Sequence, residues 1–168
     1  PKECQSTYVR SLLPARDGAL WVGTQDDGLW ELRKGTWSHH NHLLGFNSKR
    51  VNSLVEVPGS GGTPVIVAGT SNSGVLVLRG GRWKALPSLS SRWVWRLRWE
   101  PSRPDRLWIV TSKGIAHWDV PGPWEARPTC PDAAEEEISD VAWTRKPDGS
   151  FDTWLSVWGK GLAKTIGG

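Results

Sequence analysis

The 168-residue chain contains no methionine, one tyrosine, two phenylalanines and two cysteines. Cys4 and Cys130 stand too far apart for any metal-binding spacing, and two cysteines do not make a disulfide-dense scaffold. Each precedes the first strand of a repeat described below, so a Cys4–Cys130 clasp and two unpaired thiols both stay open. No apolar run approaches the roughly 18 residues of a membrane-spanning helix, and no secretory leader is visible. A start at Pro1 with no Met anywhere reads as a chain processed, trimmed or cut from something longer. Charge of one sign is not concentrated: 21 Lys and Arg are interspersed with 17 Asp and Glu, for a net +4. A nucleic-acid binder needs a basic stripe or patch, so no nucleic-acid partner is expected.

Four copies of one pattern fill the chain instead. Each has an apolar strand, a turn, a second strand often ending in Thr, a short loop ending in Gly, and a third strand, with Trp following in three copies. The first reads Val9–Leu13, Asp17-Gly18, Leu20–Thr24, Gly28, Leu29–Leu32, Trp37. The second has Val51–Val55, Val65–Thr70, Gly74, Val75–Leu78 and Trp83. The third has Val94–Trp99, Leu107–Thr111, Gly114, Ile115–Trp118 and Trp124, and the fourth Ile138–Trp143, Trp154–Trp158, Gly161 and Leu162–Ile166. The loop glycines recur every 40 to 47 residues. That period, with short strands and no helical periodicity, predicts an all-β propeller, one blade per repeat. The repeats span residues 9–41, 51–87, 94–129 and 138–168 of one domain, read as a partial propeller or half-ring.

Stacking the copies separates scaffold from site. The first strands open with Val9, Val51, Val94 and Ile138, and three residues on stand Leu12, Leu54, Leu97 and Val141. These are expected to pack blade on blade, as is the third-strand column Leu29, Val75, Ile115 and Leu162. Glu31, Val77, His117 and Lys164 form a permissive column, expected to be partly exposed. Most of the 13 tryptophans are expected in the core, Trp21 and Trp108 in equivalent places among them. Asp17-Gly18 and Asp148-Gly149 have tight-turn chemistry, and the loop glycines should supply positive φ.

In a propeller, the loops between second and third strands share a face with the links into each first strand. That face should gather Arg10, Asn52, Trp93, Trp95, Arg96, Ser139 and Trp158, with His39, His40 and His42 from one link and Glu135–Glu137 from another. Aromatic rings beside polar groups suit a sugar, a peptide or a protein. The ligand-contact candidates are Arg10, Asn52, Trp93, Trp95, Arg96 and Trp158. His40 and His42 are spaced to reach one ion, but no Asp or Glu stands near in sequence to complete a zinc site, so no metal or cofactor is expected. A glycosidase needs two carboxylates flanking one bond. None is spaced to join Arg10, Arg96 and Arg98, and no Ser-His-Asp or Cys-His arrangement is present, so no catalytic residue is assigned.

The segment Val9-Arg10-Ser11-Leu12-Leu13, Asp17–Thr24 and Gly28-Leu29 closely resembles the two-component regulator propeller repeat, with weaker copies at Val51–Leu54, Ala68–Thr70 and Gly74-Val75. The third copy is similar to the Asp-box repeats of sialidase- and sortilin-like propellers, without the Ser-x-Asp-x-Gly-x-x-Trp element. The resemblance implies a non-catalytic sensor propeller, usually the extracytoplasmic part of a bacterial sensor kinase that detects carbohydrates. It also implies more blades than four. A scaffold that assembles with a second chain is the alternative. The fourth sheet is expected to lack a full outer strand, leaving an edge to be covered by further repeats or by a second copy.

Overall fold

The computed structural model describes residues 6, 8–59, 63–90, 92–120, 126–128 and 137–165. Cys4, Cys130, Trp124, Glu135, Glu136 and Ile166 lie outside them. Four antiparallel sheets follow one another along the chain. The first contains β1 (Val9–Pro14), β2 (Leu20–Thr24), β3 (Leu29–Arg33) and β4 (Thr36–His40). The second contains β5 (Val51–Val57), β6 (Val65–Thr70), β7 (Val75–Arg79) and β8 (Arg82–Ala85). The third contains β9 (Val94–Glu100), β10 (Arg103–Thr111), β11 (Gly114–Asp119) and the two-residue β12 (Arg127–Pro128). The fourth contains β13 (Ile138–Arg145), β14 (Phe151–Val157) and β15 (Gly161–Lys164). In each sheet neighbours in sequence are neighbours in space, the meander of a propeller blade. Among the described residues, helix amounts to single turns at 42–44 and 87–89.

Two strands run longer than the sequence suggests. β10 begins at Arg103 because Arg103 pairs with Glu100, so Pro101-Ser102 alone makes the turn. β14 begins at Phe151, paired with Arg145 across the Asp148-Gly149 turn. The loop glycines Gly28, Gly74, Gly114 and Gly161 all have positive φ, between 66° and 89°. Thr24, Thr70 and Thr111 explain the recurrent Thr: each hydroxyl donates to the carbonyl of its loop glycine and accepts an amide from within the loop. Val157 holds that place in the fourth blade, where Lys160 N–H bonds the Val157 carbonyl instead.

The core lies between blades and divides into three clusters. Trp21 and Leu29 of the first blade meet Val51, Ala68, Leu76 and Trp83 of the second. Val67 and Val75 of the second meet Val94, Leu97 and Leu107 of the third. Trp108 and Ile115 of the third meet Ile138, Val141 and Leu155 of the fourth. One face of each blade thus serves the next blade and the other serves the previous one. Backbones come close enough that a Cβ on Gly23 would lie 2.7 Å from the Val51 side chain, and one on Gly69 2.6 Å from that of Val94. The permissive third-strand column is mixed: Val77 is fully buried, Glu31 and His117 are half-buried, and Lys164 is exposed.

Candidate functional site

Every inner strand contains the same irregularity. Pairing slips between Val9 and Ser11, between Val51 and Ser53, between Val94 and Arg96, and between Ile138 and Asp140. The skipped residues are Arg10, Asn52, Trp95 and Ser139. A bulge turns its extra residue away from the alternation of the strand and re-aims its side chain. It also resets the phase, which is why apolar residues three apart, such as Val51 and Leu54, serve one face. A second ring is set just ahead of the bulges. Gln25 N–H bonds the Tyr8 carbonyl, Ser71 that of Arg50, Ser112 that of Trp93, and Trp158 that of Glu137. These bonds tie each loop to the leading end of its own inner strand. The two rings place Arg10, Arg50, Asn52, Trp93, Trp95, Ser139 and Trp158 on one side of the blade array.

Within this group the contacts are specific. Trp93, half open to solvent, meets Trp95 edge-on with ring centroids 5.4 Å apart. Arg10 donates from Nη1 to the Gln25 side-chain oxygen at 2.5 Å. Burial first, then the charges of Arg50 and Arg96, holds the Arg10 pKa below its usual value. The charges of Arg50 and Arg96 thus lie close enough to repel that of Arg10, which groups the three. Arg96 Nη1 donates to the Trp95 carbonyl, and its Nε lies 3.7 Å from Asp140. Arg98 takes that carboxylate in a two-pronged pair at 3.1 and 2.9 Å. Among the described residues, the Arg50 side chain enters no hydrogen bond or ion pair, and Arg10 is bonded to the neutral Gln25 side chain.

Asn52 is used by the scaffold. It is buried, and its Nδ2 donates to Ser71 Oγ at 3.1 Å and to the Val94 carbonyl at 2.7 Å, tying the second blade to the third. Its Oδ1 is a buried acceptor with no partner among the described residues. Trp158 is largely exposed one blade beyond the Trp93–Trp95 pair and forms no ring pair with it. Arg50 was not among the candidates read from the sequence. The signal for it was present: it immediately precedes Val51 as Trp93 precedes Val94.

The histidines take other roles. His40 Nε2 lies 3.1 Å from Glu31 Oε2, brought there by strand pairing and not by sequence proximity, and its Nδ1 accepts the Trp83 indole N–H at 3.0 Å. Accepting at Nδ1 requires the neutral ring protonated at Nε2. Burial lowers the His40 pKa, with Glu31 opposing. His39 stacks on Trp30 at 4.6 Å. Among the described residues no group of three His, Cys, Asp or Glu side chains is placed to hold a metal ion. Among the helices described, none is long and apolar enough to cross a membrane.

Residues 5–26 match the family described as two component regulator propeller, which covers β1, β2 and the first two residues of the loop after them. The chain is similar in structure to the extracellular domains assigned to two hybrid two component systems of B. thetaiotaomicron. For BT4673 the identity is 20% and the TM-score 0.73, over 100% of this chain and 22% of that one. For BT3049 the values are 18% and 0.69, over 95% and 21%. An ancestral GH74 enzyme is also similar, at 17% identity and a TM-score of 0.60, over 95% of this chain and 26% of that one. No curated protein sequence matches. The fold is therefore that of a β-propeller, in four consecutive blades, and the chain spans about a fifth of the length of the two extracellular domains. The match to the two component regulator propeller family lies within the first blade.

Proposed function

We propose that the chain is a non-catalytic recognition module of the sensor-propeller kind, binding a carbohydrate with an acidic group on the face built by the inner-strand bulges. The observation that carries this reading is the juxtaposition of an accessible Trp93–Trp95 pair with the Arg10–Arg50–Arg96 trio. An indole face offers a flat apolar surface for the C–H side of a pyranose ring. A guanidinium offers paired donors that match a carboxylate or sulfate. Asp140, the carboxylate that Arg96 reaches, is held by Arg98 and Arg96 and, among the described residues, is not paired with a second carboxylate of the kind glycoside hydrolysis uses.

A glycan array with the isolated chain, followed by titration calorimetry on the hits, tests the proposal. Uronate-containing or sulfated oligosaccharides should bind, and their neutral counterparts should bind at least about tenfold more weakly, the equivalent of about 1.4 kcal/mol. Trp93→Ala and Arg50→Gln should each abolish or strongly weaken the hits while leaving the melting temperature nearly unchanged. An array with no acidic hit, or hits indifferent to both substitutions, overturns the assignment.

A further inference from the structure

Among the described residues three aromatic side chains are exposed: Tyr8 at 67%, Trp93 at 44% and Trp158 at 70%. The other described aromatics are buried or half-buried. All three exposed ones stand on the ring of loop-to-strand bonds. The Tyr8 carbonyl takes Gln25 N–H in the first blade, the Trp93 carbonyl takes Ser112 N–H in the third, and Trp158 gives its own N–H to the Glu137 carbonyl in the fourth. In the second blade the matching bond ends on Arg50. Trp30, Trp83, Trp99, Trp108 and Trp154 donate their indole N–H to scaffold groups. The Tyr8 hydroxyl and the indole N–H groups of Trp93 and Trp158 have no partner among the described residues. An exposed ring with its backbone pinned and its donor free offers a ligand a rigid stacking surface and a hydrogen bond.

These groups follow one another in blade order, because each inner strand packs on the next, β1 on β5, β5 on β9 and β9 on β13. Tyr8 precedes the first inner strand, Arg50 the second and Trp93 the third, and Trp158 is bonded to Glu137, which precedes the fourth. One cation thus stands between two aromatic platforms, with a third platform beyond. Facing sheets pack about 10 Å apart, a span wider than a pyranose ring, so one sugar unit cannot rest on two platforms. We propose, resting on the acidic-carbohydrate reading of this face, that its ligand is an extended oligosaccharide laid along the ring with an internal acidic unit. The acidic unit sits at Arg50, the units to either side stack on Tyr8 and on Trp93, and the chain continues to Trp158. Glu137 is exposed beside Trp158, and a like charge set against it is unfavourable, so the unit on Trp158 is neutral. A single acidic sugar would use Arg50 and Trp93 and leave Tyr8 and Trp158 without a role.

Gellan fragments test this, since the gellan backbone sets each glucuronate among neutral sugars. Titration followed by protein NMR compares glucuronic acid with a gellan octasaccharide, which should bind at least about tenfold more tightly. Tyr8→Ala and Trp158→Ala should each weaken the octasaccharide by about tenfold, as loss of an aromatic anchor does, weaken glucuronic acid far less, and leave the melting temperature unchanged. Trp93→Ala should weaken both ligands. A polygalacturonate octasaccharide, acidic at every unit, should bind less tightly than the gellan fragment. Octasaccharide and monosaccharide of equal affinity, or an octasaccharide indifferent to Tyr8→Ala and Trp158→Ala, overturns the extended ligand and leaves the acidic-sugar site standing. So does a glycan array with acidic hits together with a gellan octasaccharide that does not bind. A polygalacturonate octasaccharide that binds as tightly as the gellan fragment overturns the neutral unit at Trp158. Failure of the underlying reading looks different: no acidic glycan binds, or binding survives Trp93→Ala.

Discussion

Truncating Trp108 to alanine removes a ring that fills the space between the third and fourth blades. The ring is enclosed by Val110, Ile115, Ile138, Val141 and Leu155, meets Trp143 edge-on at 5.5 Å, and donates its N–H to Glu100 Oε2 at 2.8 Å. Buried Trp or Phe to Ala substitutions cost about 3–5 kcal/mol. Loss of the indole donor adds little, because Glu100 is only half-buried and also accepts from Ser102. A loss of about 4 kcal/mol is expected, which at about 2–4 °C per kcal/mol for a chain of this size lowers the melting temperature by about 8–16 °C. Trp93, fifteen positions earlier, makes the opposite prediction. Its ring is half open to solvent and meets only Trp95 edge-on among the described rings, so alanine there should cost about 1 kcal/mol or less and instead remove ligand binding. Thermal unfolding followed by the infrared amide band avoids distortion of far-ultraviolet spectra by 13 tryptophans. Equal losses for the two variants, or an unshifted Trp108→Ala, would refute the blade-interface assignment.

Stability should fall as pH drops through the range just below 6.5, the ordinary histidine value, because burial keeps folded His40 neutral while the unfolded chain takes up the proton. The contribution is intact above that pH, and the slope from this group should approach but not exceed about 1.4 kcal/mol per pH unit; urea unfolding of wild type and His40→Gln at pH 7 and 5 checks it, the variant showing the flatter dependence. Gly74→Ala should prevent folding or cost more than about 4 kcal/mol, since its Cβ would overlap the Leu89 carbonyl oxygen at a backbone φ of +66°. Gly35→Ala, also at positive φ but with nothing within 4 Å, should cost only about 1–2 kcal/mol, and comparable midpoints for the two would refute the close-approach argument. Arg98→Ala should take the two-pronged partner from Asp140, leaving Arg96 as its ion-pair partner, and lower stability by about 1 kcal/mol or less, an effect that 1 M salt should largely erase in a melting comparison.

The repeat period, the glycine loops and the apolar columns were legible in the residue order because they are local and recur four times. A loop that needs positive φ selects Gly, and a hydroxyl that closes it selects Thr, wherever the blade is. Even the bulge left a trace, in apolar residues spaced by three where a regular strand would space them by two. What the residue order could not show is which member of a column is covered. Val9 and Val51, or Leu29 and Leu162, are chemically alike, and only the placement of neighbouring blades makes one buried and the other exposed. Asn52 looked like a ligand contact until the fold brought the Val94 carbonyl, 42 positions away, within 2.7 Å of its amide. Arg50 drew no attention in the sequence, and only the fold brings its charge within reach of Arg10. Glu31 met His40 only through the pairing of β3 with β4. Local chemistry is written residue by residue, whereas burial and charge crowding are properties of distances between segments, and those exist only once the blades have packed.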